Sequence, residues 1–321
     1  MSDKQCRVMK KTSIGGQALI EGVMMRGPEK TAMAVRTPTG EIALEEWDNP
    51  VSKRPAFTRW PFVRGLFNFI DSMRIGYKCL MRSAVLSGME EELSEAEAAD
   101  ADKKKAADKK TAALMNVVMI VATVLGVGLA LVLFMWLPIQ LFSWLSRAVP
   151  ALNHTYIRGV FEGLLRIGIF LLYLLAVSRM KDIRRTFQYH GAEHKSIFCY
   201  EKGLELTVEN VRVQRRFHPR CGTSFLILML LVGIVISILI PISTPWLRTL
   251  VKLLLIPLTV GIGYELIKLA GRKDNWLTRL ISAPGMWLQH LTTIEPDDGM
   301  IECAIASLKA VIPEDPEADN W

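Results

Sequence analysis

Leu114 to Leu137 contains no charged side chain, and this stretch constrains the fold more than any other. As a helix it reaches across a hydrocarbon core of roughly 30 Å, where only helices and closed barrels satisfy their backbone hydrogen bonds. A chain that is 50% hydrophobic could still be one large soluble domain, so the distribution has to decide. Three further apolar stretches follow: Gly159 to Ser178, interrupted by Glu162 and Arg166, then Phe225 to Pro241, then Trp246 to Leu269. The expectation is a mainly α, polytopic helical membrane protein with about four spans, amphipathic interfacial helices and a small N-terminal β unit.

Lys and Arg placement orients the spans. Arg179 to Arg220 is rich in both, Lys103, Lys104, Lys105, Lys109 and Lys110 precede the first span, and Arg272, Lys273 and Arg279 follow the last. The connection between the first two spans offers only Arg147 and Arg158. Both termini and the 180–224 segment are therefore expected on the cytoplasmic side of a multi-pass protein. The net charge of +7 lies beside the spans, which points to the lipid bilayer and not to nucleic acid. The first eleven residues are polar and basic with no apolar core behind them, so no cleavable signal is expected. Cys6, Cys79, Cys199, Cys221 and Cys303 are odd in number and fall on segments assigned to the inside, which favours reduced thiols over disulfides.

The parts divide as follows. Residues 1–60 form a cytoplasmic β-rich unit, with strands over 31–36 and 41–46 around the turn Pro38-Thr39-Gly40. The glycine clusters of 15–28 suggest close backbone packing or ligand approach, with no phosphate-loop pattern. Residues 61–86 form an amphipathic helix that lies in the interface or packs on the spans. Residues 87–113 are a charged linker, 114–179 hold spans one and two, and 180–224 form the site segment. Residues 225–270 hold spans three and four, and 271–321 supply interfacial and C-terminal helices, the last opening at Glu295-Pro-Asp-Asp298.

Chemistry concentrates in 180–224. In His190-Gly-Ala-Glu193-His194, the two histidines lie at i and i+4 with Glu193 on nearly the same face, the order H-x-x-E-H of a metal site with an attached proton acceptor. His218-Pro-Arg-Cys221 adds a second ligand pair in the same segment. The residue types suit a divalent metal, Zn²⁺ first. Surface histidines on a solvated helix are the bland alternative. If His190, His194, His218 and Cys221 all bind, a tetrahedral ion is saturated and structural. If three bind, a position stays open and Glu193 can act as general base. Arg184 or Lys195 could instead hold Glu193 as an ion pair.

Glu265 follows His194 at a spacing near that of a third ligand in HxxEH proteases, with pairing to Lys268 as its alternative. Glu162 and Arg166, at i and i+4, are expected to neutralise one another near the outer end of the second span, which argues against a pump or channel. Cys199 near His194, or Cys221 near His218, could serve as an imidazole-activated nucleophile.

GGQALIEGVMMRGP at 15–28, YHGAEHKSIFCYE at 189–201, LTVENVR at 206–212, HPRCGTSF at 218–225 and LTTIEPDD at 291–298 together resemble one family. It is the bacterial multi-pass membrane family of unknown function labelled DUF1385, also described as YqhQ-like metal-dependent enzymes. The resemblance implies a metal-dependent enzyme of the bacterial cytoplasmic membrane but carries no substrate or reaction with it. His190, Glu193, His194, His218 and Cys221 all fall in its blocks. Two functions stay open. One is a zinc hydrolase acting at the cytoplasmic face on a membrane-associated or lipid-like substrate. The other is a non-enzymatic membrane adaptor with a structural zinc site.

Overall fold

The computed structural model describes residues 11–49, 55–88, 108–152, 154–272, 275–315 and 317–320. Most of the linker expected at 87–113 therefore lies outside the described residues. The chain is mainly helical with a four-stranded antiparallel sheet near its N-terminus. It divides into two units: the described residues of 1–89, 174–228 and 260–321, and those of 90–173 and 229–259.

In the first unit the strands β1 (Gly15–Leu19), β2 (Gly22–Arg26), β3 (Lys30–Arg36) and β4 (Ile42–Asp48) follow one another in space as in sequence. The hairpin around Pro38-Thr39-Gly40 is present, and the glycine-rich run before it folds as a second hairpin, pairing Gly16 with Met25 and Leu19 with Gly22. Its two-residue turn needs positive φ, which Glu21 adopts at 50°. Alternation along the strands gives the sheet two apolar faces. Leu19, Met24 and Met33 pack on Cys79 of helix α1 (Val63–Leu86). Val23, Met25, Ala32 and Ala34 share a core with Tyr189 and Ala192 of α5 (Lys181–Glu201), Val211 of the short α6 (Val208–Arg212), and Met300, Ile301 and Ala304 of α11 (Asp298–Lys309). Asp297 caps α11 by accepting the Met300 amide at 2.8 Å.

The second unit holds the longest apolar helices. α2 (Asp108–Leu131) runs through a π-helical turn at Val132–Trp136 into α3 (Leu137–Ala148). The first span as read from sequence ends at Leu137, just ahead of Pro138. The wider turn, just ahead of a proline that lacks a backbone N–H, lets the helix continue instead. Val121–Ala148 and α4 (Thr155–Val177) are each long and apolar enough to cross a membrane. The bent pair α8 (Pro245–Leu254) and α9 (Ile256–Arg272), angled by 49°, makes three if it counts as one crossing, and α7 (Gly222–Ile238) is shorter.

The expected Glu162–Arg166 pair does not form. Glu162 accepts Arg248 Nε at 3.0 Å, Lys252 Nζ and the Ser237 hydroxyl at 3.3 Å, while Arg166 Nε donates to the Phe134 carbonyl at 2.6 Å. A full shell of three donors satisfies a buried carboxylate better than one neighbour on its own helix. Glu265 is likewise diverted: it takes both Nε and Nη2 of Arg64 and the Phe62 N–H. This fixes Phe62 at φ 68°, a strained left-handed entrance to α1.

Candidate metal centre

Helix α5 carries the H-x-x-E-H sequence, and every residue from Tyr189 to Ile197 is buried. Gly191 permits this, because a Cβ there would run into the Ile294 carbonyl. The close crossing brings the segment after α10 (Trp276–Thr292) against the histidines. His190 Nδ1 then lies 2.7 Å from the Thr292 carbonyl, and His194 Nδ1 lies 2.5 Å from the Arg216 carbonyl. A carbonyl only accepts, so both rings carry a proton on Nδ1 and turn Nε2 inward, where it is a lone-pair donor whenever the ring is neutral. Such an outer hydrogen bond is the usual way a protein orients an imidazole toward a metal.

Cys221 completes the group. It immediately precedes α7, where its Sγ accepts the Thr223 N–H at 3.4 Å and sits 3.1 Å from His190 Nε2. Ligand atoms of His190, His194 and Cys221 all lie within 4.8 Å of one another, close enough to share one metal ion. Burial alone would raise the Cys221 thiol, but the imidazoles of His190 and His194 hold it well below its ordinary value. Burial also opposes charge on His190, yet Cys221 and Glu193 push it up to about 9.

Glu193 projects into the same chamber, of about 80 Å³, which is also lined by Gly15, Gly16, His194, His218 and Cys221. Burial pushes its carboxyl above the ordinary range, with His190 and His194 opposing, and the Gly16 N–H is its backbone donor. Among the described residues, Glu193 Oε2 and His194 Nε2 are buried without a hydrogen-bond partner. Buried polar atoms in native proteins are nearly always satisfied, so two orphans facing a ligand cluster mark a place for something else. Lys195 does not compete for Glu193: it donates to the Arg212 carbonyl at 2.7 Å and pairs with Glu295.

The structure gives His218 different neighbours from those its H-x-x-C spacing suggests. Its Nδ1 accepts the Arg220 N–H at 3.3 Å, and its Nε2 lies 3.5 Å from Glu201, a buried carboxylate that also binds Arg220 and the Thr12 N–H. Gln289 brackets its backbone from both sides, accepting the His218 N–H at 2.7 Å and donating to its carbonyl at 2.8 Å. The ring remains beside the cluster, 5.7 Å from that of His194. Cys199 lies apart from the group, with its thiol on the Glu205 carbonyl. Sequence reasoning did not identify Gly16, Glu201, Gln289 or the Thr292 carbonyl. Only Gly16 gave a signal, through the glycine pair.

Comparison with known proteins agrees with the motif blocks. The family model described as "Protein of unknown function (DUF1385)" matches residues 60–314. The "Uncharacterized protein YqhQ" of Bacillus subtilis (strain 168) is 36% identical over 302 residues, covering 93% of this chain and 92% of that one. No solved structure matches. A match over most of the chain, with end-to-end similarity to that relative, makes this chain a member of the DUF1385 family.

Proposed function

We propose that the chain is a zinc-dependent hydrolase of the bacterial cytoplasmic membrane, acting at the cytoplasmic face on a membrane-associated or lipid-like substrate. The observation that carries this reading is the pair of orphaned atoms, Glu193 Oε2 and His194 Nε2, beside the His190–His194–Cys221 group. Two neutral imidazoles and a thiolate suit a borderline-soft divalent ion. Such an ion, when bound, would supply Lewis acidity and acidify water toward roughly neutral pKa.

The remaining chemistry belongs to the chain. His190 and His194 are held in one tautomer by Thr292 and Arg216. Cys221 supplies negative charge, and Glu193 accepts a proton and returns it to a leaving group. A carboxylate whose pKa is raised by burial is better matched to proton transfer near neutral pH than an exposed one. The adaptor alternative needs a closed four-ligand site, and the partner that would close it, His218, is turned to Glu201.

Four crossings account for the apolar helices. Val121–Ala148, α4, the 17-residue α7 and the bent α8–α9 pair supply them. α7 spans about 26 Å, a shortfall that local bilayer thinning accommodates. An even number returns both termini to the cytoplasmic side, in agreement with the Lys and Arg bias. Within the second unit Leu125 and Leu164 face outward while Glu162 is fully buried, the arrangement a lipid solvent favours.

A second reading rests on the 3.1 Å separation of His190 Nε2 and Cys221 Sγ, which could equally be a base and its nucleophile. Glu193→Gln separates the two. In a hydrolase using Glu193 as base, this variant inserts, keeps wild-type zinc and fails to complement a deletion strain. Full complementation would sink the general-base role.

A further inference from the structure

Gly15 and Gly16 line two cavities. One is the small chamber at Glu193. The other is a cleft of about 370 Å³ between α1 and the first hairpin. Gln17, Met24, Arg26, Ser72 and Ile75 form much of the rest of the cleft wall. A Cβ on Gly15 would meet nothing within 4 Å, so backbone alone bounds the cleft there. A Cβ on Gly16 would sit 2.9 Å from the Glu193 carboxyl carbon, so backbone alone also separates cleft from chamber. The glycine pair is a side-chain-free approach to the proposed base.

We propose that this cleft seats the substrate of the Glu193 centre, and that the substrate is an anionic amphiphile of the phospholipid class. The inference rests on the hydrolase reading above and adds the ligand class to it. Among the described residues of the cleft wall Arg26 is the ionised one, and Ser13 and Ser72 add hydroxyl donors, a set that recognises a phosphate group. Met24 and Ile75 offer apolar surface to whatever the head group is attached to. On its outer side α1 leaves Ile70, Met73 and Tyr77 exposed at 50%, 54% and 62%. At spacings of three and four residues they form one stripe, which sets this helix against a lipid surface and opens the cleft at head-group level. An extended peptide fits less well. Gly16, on the edge strand where a peptide would add, lies against the Glu193 carboxyl group instead.

The test uses the purified full chain in detergent, titrated by native mass spectrometry with phosphatidylglycerol, phosphatidylcholine or glycerol 3-phosphate, with zinc measured in parallel. Wild type is expected to retain one phosphatidylglycerol in preference to phosphatidylcholine. Gly15→Leu, whose Cβ meets nothing within 4 Å, is expected to lower that occupancy about tenfold with zinc unchanged, and Arg26→Gln to erase the head-group preference. Wild-type binding by both variants would overturn the assignment of the cleft. Glycerol 3-phosphate binding as tightly as phosphatidylglycerol would overturn the amphiphile. A chain that binds phosphatidylglycerol through Gly15 and Arg26 but carries no zinc keeps the cleft and removes the hydrolase.

Discussion

Glu162 and Glu193 are both buried carboxylates, and the chain treats them in opposite ways. Glu162, among the apolar helices, is completely enclosed by Arg248, Lys252 and the Ser237 hydroxyl. Arg248 in turn donates to the carbonyls of Ser237, Ile240 and Ile242, so this group ties α4, α7 and α8 together. Glu193 faces the Gly16 N–H, and its Oε2 finds no partner among the described residues. A saturated carboxylate holds structure. One left unsaturated at a cost of roughly 1–3 kcal/mol is kept for a ligand or a reaction.

The largest expected effect tests the saturated member. Glu162→Leu leaves Arg248 and Lys252 buried without their counter-charge, which costs about 3–5 kcal/mol, so the protein should fail to accumulate or melt far below wild type in detergent. Glu193→Leu removes an unsatisfied group and should leave the melting temperature unchanged or higher while abolishing function. Similar melting shifts in the two variants would erase the distinction.

Glu201 should behave like Glu162 on a smaller scale. Burial opposes its charge, but His218 and Arg220 outweigh this and hold its pKa below the ordinary carboxylate value. A depressed folded pKa stabilises the protein above the unfolded value of about 4.3, and that stability is lost as pH falls through the folded value. The stability gap between wild type and Glu201→Gln should be about 1.5–3 kcal/mol at about pH 6 and shrink below about pH 4. A gap that does not change with pH would mean Glu201 is not the charged partner described here.

These partners also mark what sequence could and could not reveal. The apolar stretches, the acidic opening of α11 and the convergence of His190, Glu193 and His194 are local patterns, legible from helical spacing alone. The Gly15–Arg26 hairpin was obscured by its glycines, which have no apolar alternation to display. Helical spacing offers Glu162 only Arg166, and offers Glu265 a ligand role or Lys268, because sequence displays only near neighbours. Their partners Arg248 and Arg64 lie 86 and 201 residues away. His218 reads as a ligand from its spacing to Cys221, and nothing in that spacing reveals Glu201.

The smallest effect concerns the thiols. Burial pushes Cys79 and Cys303 up to about 11, whereas Cys221 is held low by the two imidazoles. In chelator-treated protein, iodoacetamide should modify Cys221 at least about tenfold faster than Cys79 or Cys303, read by peptide mass spectrometry. Zinc should suppress that reaction. Equal labelling of Cys221 with and without zinc would favour the nucleophile reading.

The central claim is that three protein ligands hold an ion while Glu193 stays free to take a proton. X-ray absorption on zinc-loaded protein, with elemental analysis, tests it most directly. One zinc per chain is expected, with two imidazole nitrogens, one sulfur and one oxygen from a non-protein ligand, the same in Glu193→Gln. Three nitrogens and one sulfur would bring His218 into a closed structural site and contradict it, and so would a chain that binds no zinc.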